Sequence, residues 1–258
     1  MRTITITLNG VEVSGYEGMT ILELAKEIGI EIPTLCYDSH LTSVGACRIC
    51  LVENEKTKAL VASCVTPISS GMVINTNSPR VIEARKTIVE LMLSNHPDSC
   101  MVCDEGNHCQ LRKIASDLGV RLVEFERLRT PLPIKELNPF IQRDLSKCIL
   151  CGKCVRVCQE FEIIGAIDYS FRGYDSKPST LHEKPLEESE CTFCGTCVSM
   201  CPVGALSEKG RKYRGSPEKS VDTTCSFCGC GCGFYLETKD DEIIGIETKD
   251  NNSFNGIS

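Results

Sequence analysis

Long apolar runs are missing from this 258-residue chain. No stretch approaches the roughly 18 consecutive apolar residues that a membrane span needs. The N-terminus, Met1-Arg2-Thr3-Ile4-Thr5-Ile6-Thr7, alternates polar and apolar residues and carries no apolar segment of signal-peptide length. Basic excess is missing too. Lys and Arg total 28 against 35 Asp and Glu, a formal net charge of -7, which argues against a nucleic-acid partner, since phosphate binding wants a basic face. There is no tryptophan. No G-x-G-x-x-G follows an expected strand and no Walker A sequence occurs, so no nucleotide-binding loop is legible. No nucleophile arrangement stands out, so no catalytic residue is assigned.

What is abundant is cysteine. There are 19, roughly one residue in fourteen, far above ordinary usage. The odd count excludes a closed set of intramolecular disulfides. The length exceeds that of the small secreted domains that need disulfide staples. The expectation is a soluble, cytoplasmic protein whose thiols hold metal in a reducing compartment. The cysteines fall in five groups, which suggest four units: 1–78, 79–139, 140–206 and 207–258.

In the first unit, Ile4, Ile6 and Leu8 alternate with threonines, then Asn9-Gly10 precedes Val11 and Val13, a strong hairpin signal. Thr20 with Glu23 three residues on forms a capping box for a helix whose Ile21, Leu24, Ala25 and Ile28 share a face, with Gly29 to close it. This order of elements is that of a β-grasp domain. Its cysteines, Cys36, Cys47, Cys50 and Cys64, provide four thiolates at C-x10-C-x2-C-x13-C spacing, suited to a [2Fe–2S] cluster, with a structural zinc as the alternative. Val44-Gly45-Ala46 lets backbone N–H groups approach.

These residues resemble the N-terminal region of the large iron–sulfur subunit of respiratory complex I, which recurs in NAD-linked formate dehydrogenases and [FeFe]-hydrogenases. In the second unit, Ser78-Pro79 opens a helix with a broad apolar face ending near Asn95-His96-Pro97. His96, Cys100, Cys103 and Cys109 then read H-x3-C-x2-C-x5-C. Spacing alone fits a zinc knuckle of three cysteines and one histidine as well as a [4Fe–4S] cluster. The resemblance implies the cluster. His108, outside the pattern, is a weaker candidate.

The third unit repeats itself. Cys148, Cys151, Cys154 and Cys158 match Cys191, Cys194, Cys197 and Cys201, both as C-x2-C-x2-C-x3-C. In this bacterial ferredoxin run the fourth cysteine of each run ligates the other cluster. Cys201 should therefore join the first three of the first run, and Cys158 the first three of the second. Gln159 stands where many ferredoxins have proline. The segment near 170–190 reads as an exposed surface insertion.

Residues 207–220 read as a linker, with a basic cluster from Lys209 to Arg214. Cys225, Cys228, Cys230 and Cys232 follow. The first two and the last resemble the start of the molybdopterin oxidoreductase domain, where a fourth cysteine comes about two dozen residues later. This sequence has none after Cys232, so Cys230 is the candidate fourth ligand of a further Fe–S cluster or a zinc ion. A small hairpin is expected over 234–248. The five sites would consume all nineteen cysteines plus His96.

The fold class expected is thus α+β: a β-grasp [2Fe–2S] domain, a small helical domain with one histidine and three cysteines as cluster ligands, a 2[4Fe–4S] ferredoxin domain and a C-terminal Cys-rich module. One [2Fe–2S] cluster, three [4Fe–4S] clusters and one further site are expected. The resemblance implies an electron-transfer subunit with an NAD(P)/FMN-binding flavoprotein partner, a thioredoxin-like [2Fe–2S] partner, and a ferredoxin or third catalytic subunit, in an electron-bifurcating assembly of an anaerobe. The alternative is the N-terminal part of a catalytic formate dehydrogenase alpha subunit.

Overall fold

The hairpin is formed by Thr3–Leu8 (β1) and Val11–Tyr16 (β2), paired antiparallel from Thr3–Tyr16 to Leu8–Val11 in the computed structural model. The structure describes residues 2–103, 105–106, 108–126, 136–209 and 214–249. Asn9 and Gly10 both take positive φ, 52° and 82°, as the two-residue turn requires. Ile21–Glu27 (α1) carries the capping box: the Thr20 hydroxyl accepts from the Glu23 N–H while the Glu23 carboxylate accepts from the Thr20 N–H. Leu51–Asn54 (β3), Ala59–Ala62 (β4) and Val73–Asn75 (β5) complete a five-stranded sheet in the order β2-β1-β5-β3-β4, with β1 and β5 parallel. Ile6, Leu8, Val52 and Ile74 of the sheet bury against Ile21, Leu24 and Ala25 of α1, and Cys50 and Cys64 belong to the same core.

Pro79–Ser94 (α2) starts at Ser78, whose hydroxyl accepts from the Val81 N–H. Its buried face is narrower than the sequence suggests. Val81 and Val89 are buried, but Ile82 and Leu91 are exposed, and Arg85 sits inside. A 3-10 turn, Cys100–Val102, and Gln110–Asp117 (α3) follow. Leu111, Ile114 and Ala115 of α3 pack with Val89, with Leu35, Cys36 and Cys47 of the first unit, and with Cys151, Val203 and Ala205 of the third. Three units therefore share one core.

The ends of the third unit are tied by Ile141–Arg143 (β6) pairing antiparallel with Leu206–Glu208 (β9). Between them lie Lys153–Arg156 (α4) with a wide π-type turn over Val157–Phe161, the hairpin of Asp168–Ser170 (β7) and Lys177–Ser179 (β8), and Thr196–Ser199 (α5). The insertion lies mostly at the surface, as expected, but it carries a hairpin and four buried residues. Pro178, Ser179, Thr180 and Leu186 are buried, because β7–β8 folds back onto the cysteine loops. The expected linker is also shorter at both ends. Ser207 and Glu208 belong to β9, the Lys209 ammonium donates to the Glu136 and Asn138 carbonyls, and Lys219 and Ser220 open a strand. Most of the basic cluster, residues 210–213, lies outside the described residues.

Lys219–Thr224 (β10), Gly233–Lys239 (β11) and Glu242–Thr248 (β12) form an antiparallel three-stranded sheet. The hairpin over 234–248 is present, and β10 is the strand the linker reading hid. Among the described residues, no helix is long and apolar enough to cross a membrane.

Candidate metal centres

The four thiols of the first site come from loops around the five-stranded sheet, and all are buried. They pair closely. The Cys47 N–H donates to Cys36 Sγ at 3.4 Å, and the Cys50 and Cys64 sulfurs lie 3.3 Å apart. Two adjacent thiols ionise unequally, because one S–H stabilises its neighbour's thiolate. The Cys47 thiol draws Cys36 down to about 6, against the opposing effect of burial, and Cys64 does the same for Cys50, also to about 6. Cys47 and Cys64 rise in consequence. In each pair one thiol thus ionises more readily than its neighbour, and the thiolate is the form that binds metal. Gly45 precedes them at φ 63°, where a side chain would also crowd Val65.

At the second site, His96 is buried just past α2, and Cys109 caps α3. Cys100 and Cys103 are joined by the 3-10 turn, the Cys103 N–H reaching the Cys100 carbonyl. Gly106 is required beneath them, since a β-carbon there would meet the Cys100 carbonyl oxygen at 2.7 Å. Burial raises the Cys109 thiol. Asp104 and Asn107 lie outside the described residues. This site presses on the third unit. A β-carbon at Gly204 would lie 3.0 Å from Cys103 Sγ, and the Gln110 N–H donates to the Pro202 carbonyl at 3.0 Å.

The two ferredoxin runs fold alike. Leu150 and Phe193 take positive φ, 56° and 58°, and each N–H donates to the sulfur two residues back, Cys148 and Cys191, at 3.4 Å. Gly152 and Gly195, at φ 72° and 83°, then start α4 and α5. Each run wraps a cavity. One is lined by Cys148, Cys151, Cys154 and Cys201, the other by Cys191, Cys194, Cys197 and Cys158. The fourth thiol of each run thus stands in the cavity of its twin. Cys158 reaches across from the wide turn after α4, Cys201 from just beyond α5.

Burial acts on several of these thiols. It pushes Cys151 and Cys197 up to about 12 and raises Cys154 and Cys201 as well. A bound cation would reverse this, because a coordinating thiol is deprotonated outright. Among the described residues, no three His, Cys, Asp or Glu side chains converge on a point where one metal ion could be held. The sulfurs instead ring a space, which suits a cluster with its own sulfide core. Tyr169 of β7 and Pro178 of β8 close the wall of the first cavity. Burial, then the nearby Cys154, Cys151 and Cys148, push the Tyr169 phenol up to about 12. Its place beside the thiols has no signal in the sequence, because it rests on how the insertion folds.

Cys225, Cys228, Cys230 and Cys232 share the single loop joining β10 to β11, closed by a 2.7 Å bond from the Cys225 N–H to the Cys232 carbonyl. Cys228 and Cys230 are exposed, and Phe227 is 94 % exposed beside them. Hydrogen bonds from the Cys230 backbone and thiol lower Cys228.

Four family descriptions match successive segments: a 2Fe-2S iron–sulfur cluster binding domain over 1–79, the NADH-ubiquinone oxidoreductase-G iron–sulfur binding region over 85–123, the ferredoxin-like domain of NADH-quinone oxidoreductase subunit 3 over 138–207, and the molybdopterin oxidoreductase Fe4S4 domain over 218–257. The NADP-reducing hydrogenase subunit HndD of Solidesulfovibrio fructosivorans is 39 % identical over 81 % of this chain and 36 % of its own length. The NADPH-Fe(3+) oxidoreductase subunit alpha of Geobacter sulfurreducens is 35 % identical over 98 % of this chain and 30 % of its own length. The 78 kDa subunit of NADH-ubiquinone oxidoreductase of Neurospora crassa is 32 % identical over 98 % and 34 %. The chain spans about a third of the length of these relatives. A chain of a solved NAD+-reducing [NiFe]-hydrogenase in its H2-reduced state superposes with a TM-score of 0.76 at 28 % identity, covering 84 % of this chain and 92 % of that one. With two thiol-lined cavities inside the segment matched by the ferredoxin-like domain, the chain belongs to the iron–sulfur family that unites the complex I 78 kDa (G) subunit with the hydrogenase and formate dehydrogenase-type subunits of NAD(P)-linked oxidoreductases.

Proposed function

We propose that this chain is the electron-relay portion of an NAD(P)-linked oxidoreductase. The observation that carries the reading is the crossed lining of the two cavities by the ferredoxin runs. Iron–sulfur clusters, when bound, supply one-electron transfer, and the protein's part is to hold them and shape their surroundings.

Cys36, Cys47, Cys50 and Cys64 hold a [2Fe–2S] cluster. His96, Cys100, Cys103 and Cys109 hold a [4Fe–4S] cluster, the imidazole removing one negative charge from the ligand set. Cys148, Cys151, Cys154 and Cys201 hold a second cubane, and Cys191, Cys194, Cys197 and Cys158 a third. Cys225, Cys228, Cys230 and Cys232 hold one further centre. The shared core of the first three units fixes the spacing between their sites, and the Leu150 and Phe193 N–H groups orient the sulfurs. The chain works in the cytoplasm with a flavoprotein that takes hydride from NAD(P)H, a thioredoxin-like [2Fe–2S] subunit, and a ferredoxin or third catalytic subunit, in a bifurcating assembly.

Anaerobically purified protein tests this. It should be brown and contain roughly eighteen irons per chain with all five sites filled. A colourless protein with stoichiometric zinc would overturn the reading.

The molybdopterin-type match at 218–257 favours a second reading, the N-terminal part of a formate dehydrogenase alpha subunit. The mass of the native polypeptide and its molybdenum content distinguish the two.

A further inference from the structure

Two arginines lie buried beside the first site, and neither meets a carboxylate among the described residues. Arg85 of α2 is 3 % exposed; one of its Nη atoms donates to the Leu51 carbonyl at 2.7 Å, next to Cys50, and the other reaches Asn77 Oδ1 at 3.5 Å. Arg156 of α4 is 7 % exposed; its Nη atoms donate to the Thr42 carbonyl at 2.6 Å and to the carbonyl of Cys36 itself. In both, Nε is buried with no hydrogen-bond partner. Other buried cations of the chain are handled differently. Lys153 faces Asp38 at 3.8 Å, and Arg143 is paired with Glu136.

A buried cation facing only carbonyl and amide dipoles is costly unless an anion stands near. The two guanidiniums come from different units and hold backbone carbonyls of the same four-thiol site, Leu51 next to Cys50 and Cys36 itself. A tetrathiolate [2Fe–2S] centre is a dianion when oxidised and a trianion when reduced. It is the counter-anion these arginines otherwise lack, and they stabilise its reduced form more than its oxidised form.

We propose that Arg85 and Arg156 are the built-in counter-cations of the first site, raising its reduction potential and biasing the relay to hold an electron there. This rests on the [2Fe–2S] reading of that site. The step is addition of one electron from a low-potential donor, dithionite in the test, to one ferric iron, which becomes ferrous. No bond to the protein changes. Arg156 also places this control between Cys154 and Cys158, so that α4 and the wide turn after it, which each carry one cubane ligand, are tied to the Cys36 loop.

The test is potentiometric titration of the [2Fe–2S] EPR signal in the full chain, with iron counted in every sample. Arg156→Gln and Arg85→Gln should each lower the reduced-to-oxidised ratio at fixed ambient potential by about tenfold, about 59 mV for one electron. Arg156→Lys and Arg85→Lys, which keep the charge, should stay within about threefold of the wild type, about 28 mV on the same scale. Iron-loaded glutamine variants with an unmoved potential would overturn the proposal. Where one glutamine variant fails to load, the other decides. Loss of the site in both glutamine variants but neither lysine variant supports a charge requirement. Loss in the lysine variants as well overturns it, since guanidinium shape would then be what matters. Absence of any [2Fe–2S] signal in the wild type would instead sink the cluster assignment.

Discussion

Arg143 and Glu136 form an ion pair with side chains 2 % and 0 % exposed, and through it the start of the ferredoxin unit is held against its insertion. The Glu136 carboxylate also accepts the Leu186 N–H at 2.9 Å and the Asn138 amide at 3.1 Å, while Arg143 donates to the Lys184 carbonyl at 3.0 Å. Removing one partner strands the other charge inside. Arg143→Met should cost about 3–5 kcal/mol, read as a drop in the chemical-denaturation midpoint of the anaerobic protein. A smaller loss in a Glu136→Leu/Arg143→Met double variant than in either single would show that the stranded charge is the cause.

The crossed cavities make a selective prediction. Cys158→Ser should remove about four irons and the EPR signal of the cubane at Cys191, Cys194 and Cys197, sparing the one at Cys148, Cys151 and Cys154. Cys201→Ser should do the reverse. If Cys158→Ser instead abolishes the cluster of its own run, the ligands do not cross.

His96 can be tested by exchange of donor. His96→Cys should keep the iron count and shift one [4Fe–4S] EPR signal to lower potential, because a thiolate adds negative charge. An unchanged spectrum would mean that His96 is not a ligand.

Gly152 is needed twice, for its φ of 72° and because the Tyr169 hydroxyl fills the space a β-carbon would take. Gly152→Ala should destabilise by about 1–3 kcal/mol and lower iron retention at the cubane of Cys148, Cys151, Cys154 and Cys201. Tyr169→Ala in the same chain should recover part of the loss, by melting temperature and iron count. No recovery would leave backbone strain as the whole cause.

Without metal the thiols should differ in reactivity. Cys151 and Cys197, pushed up to about 12 by burial, stay protonated at pH 8, whereas exposed Cys228 is lowered by its bonds to Cys230. Alkylation of the metal-free chain, followed by mass spectrometry, should label Cys228 before Cys151 and Cys197. The linkage has a definite sign. Groups whose folded pKa is raised from 9.0 to about 12 favour the fold fully below pH 9, and the metal-free fold should weaken as pH climbs through that window. Equal labelling of all three would contradict the burial.

Local rules made the first hairpin, the capping box at Thr20 and the start of α2 legible. Each depends on neighbours a few residues apart: Asn9-Gly10, Thr20 with Glu23, Ser78-Pro79. The cysteine spacings carried the grouping of thiols into sites for the same reason. A tight loop around an inorganic core is a local object, and Cys148 to Cys154 and Cys191 to Cys197 repeat it down to the positive φ of Leu150 and Phe193.

Part of the surface insertion turns inward because Pro178 lines a cysteine cavity and Leu186 packs with Leu41 and Ile141, which composition cannot show. β10 was hidden because Lys219 and Ser220 fell within the linker reading and only pairing with β11 shows the strand. Thus the sequence by itself determined how the cysteines group along the chain, since ligand spacing is local chemistry. The tertiary structure alone decided what surrounds them: Tyr169 at one cavity wall, Gly204 against Cys103, and Arg85 and Arg156 at the first site. Those neighbours come from residues up to 120 positions apart, such as Arg156 and Cys36, and only packing of the shared core brings them together.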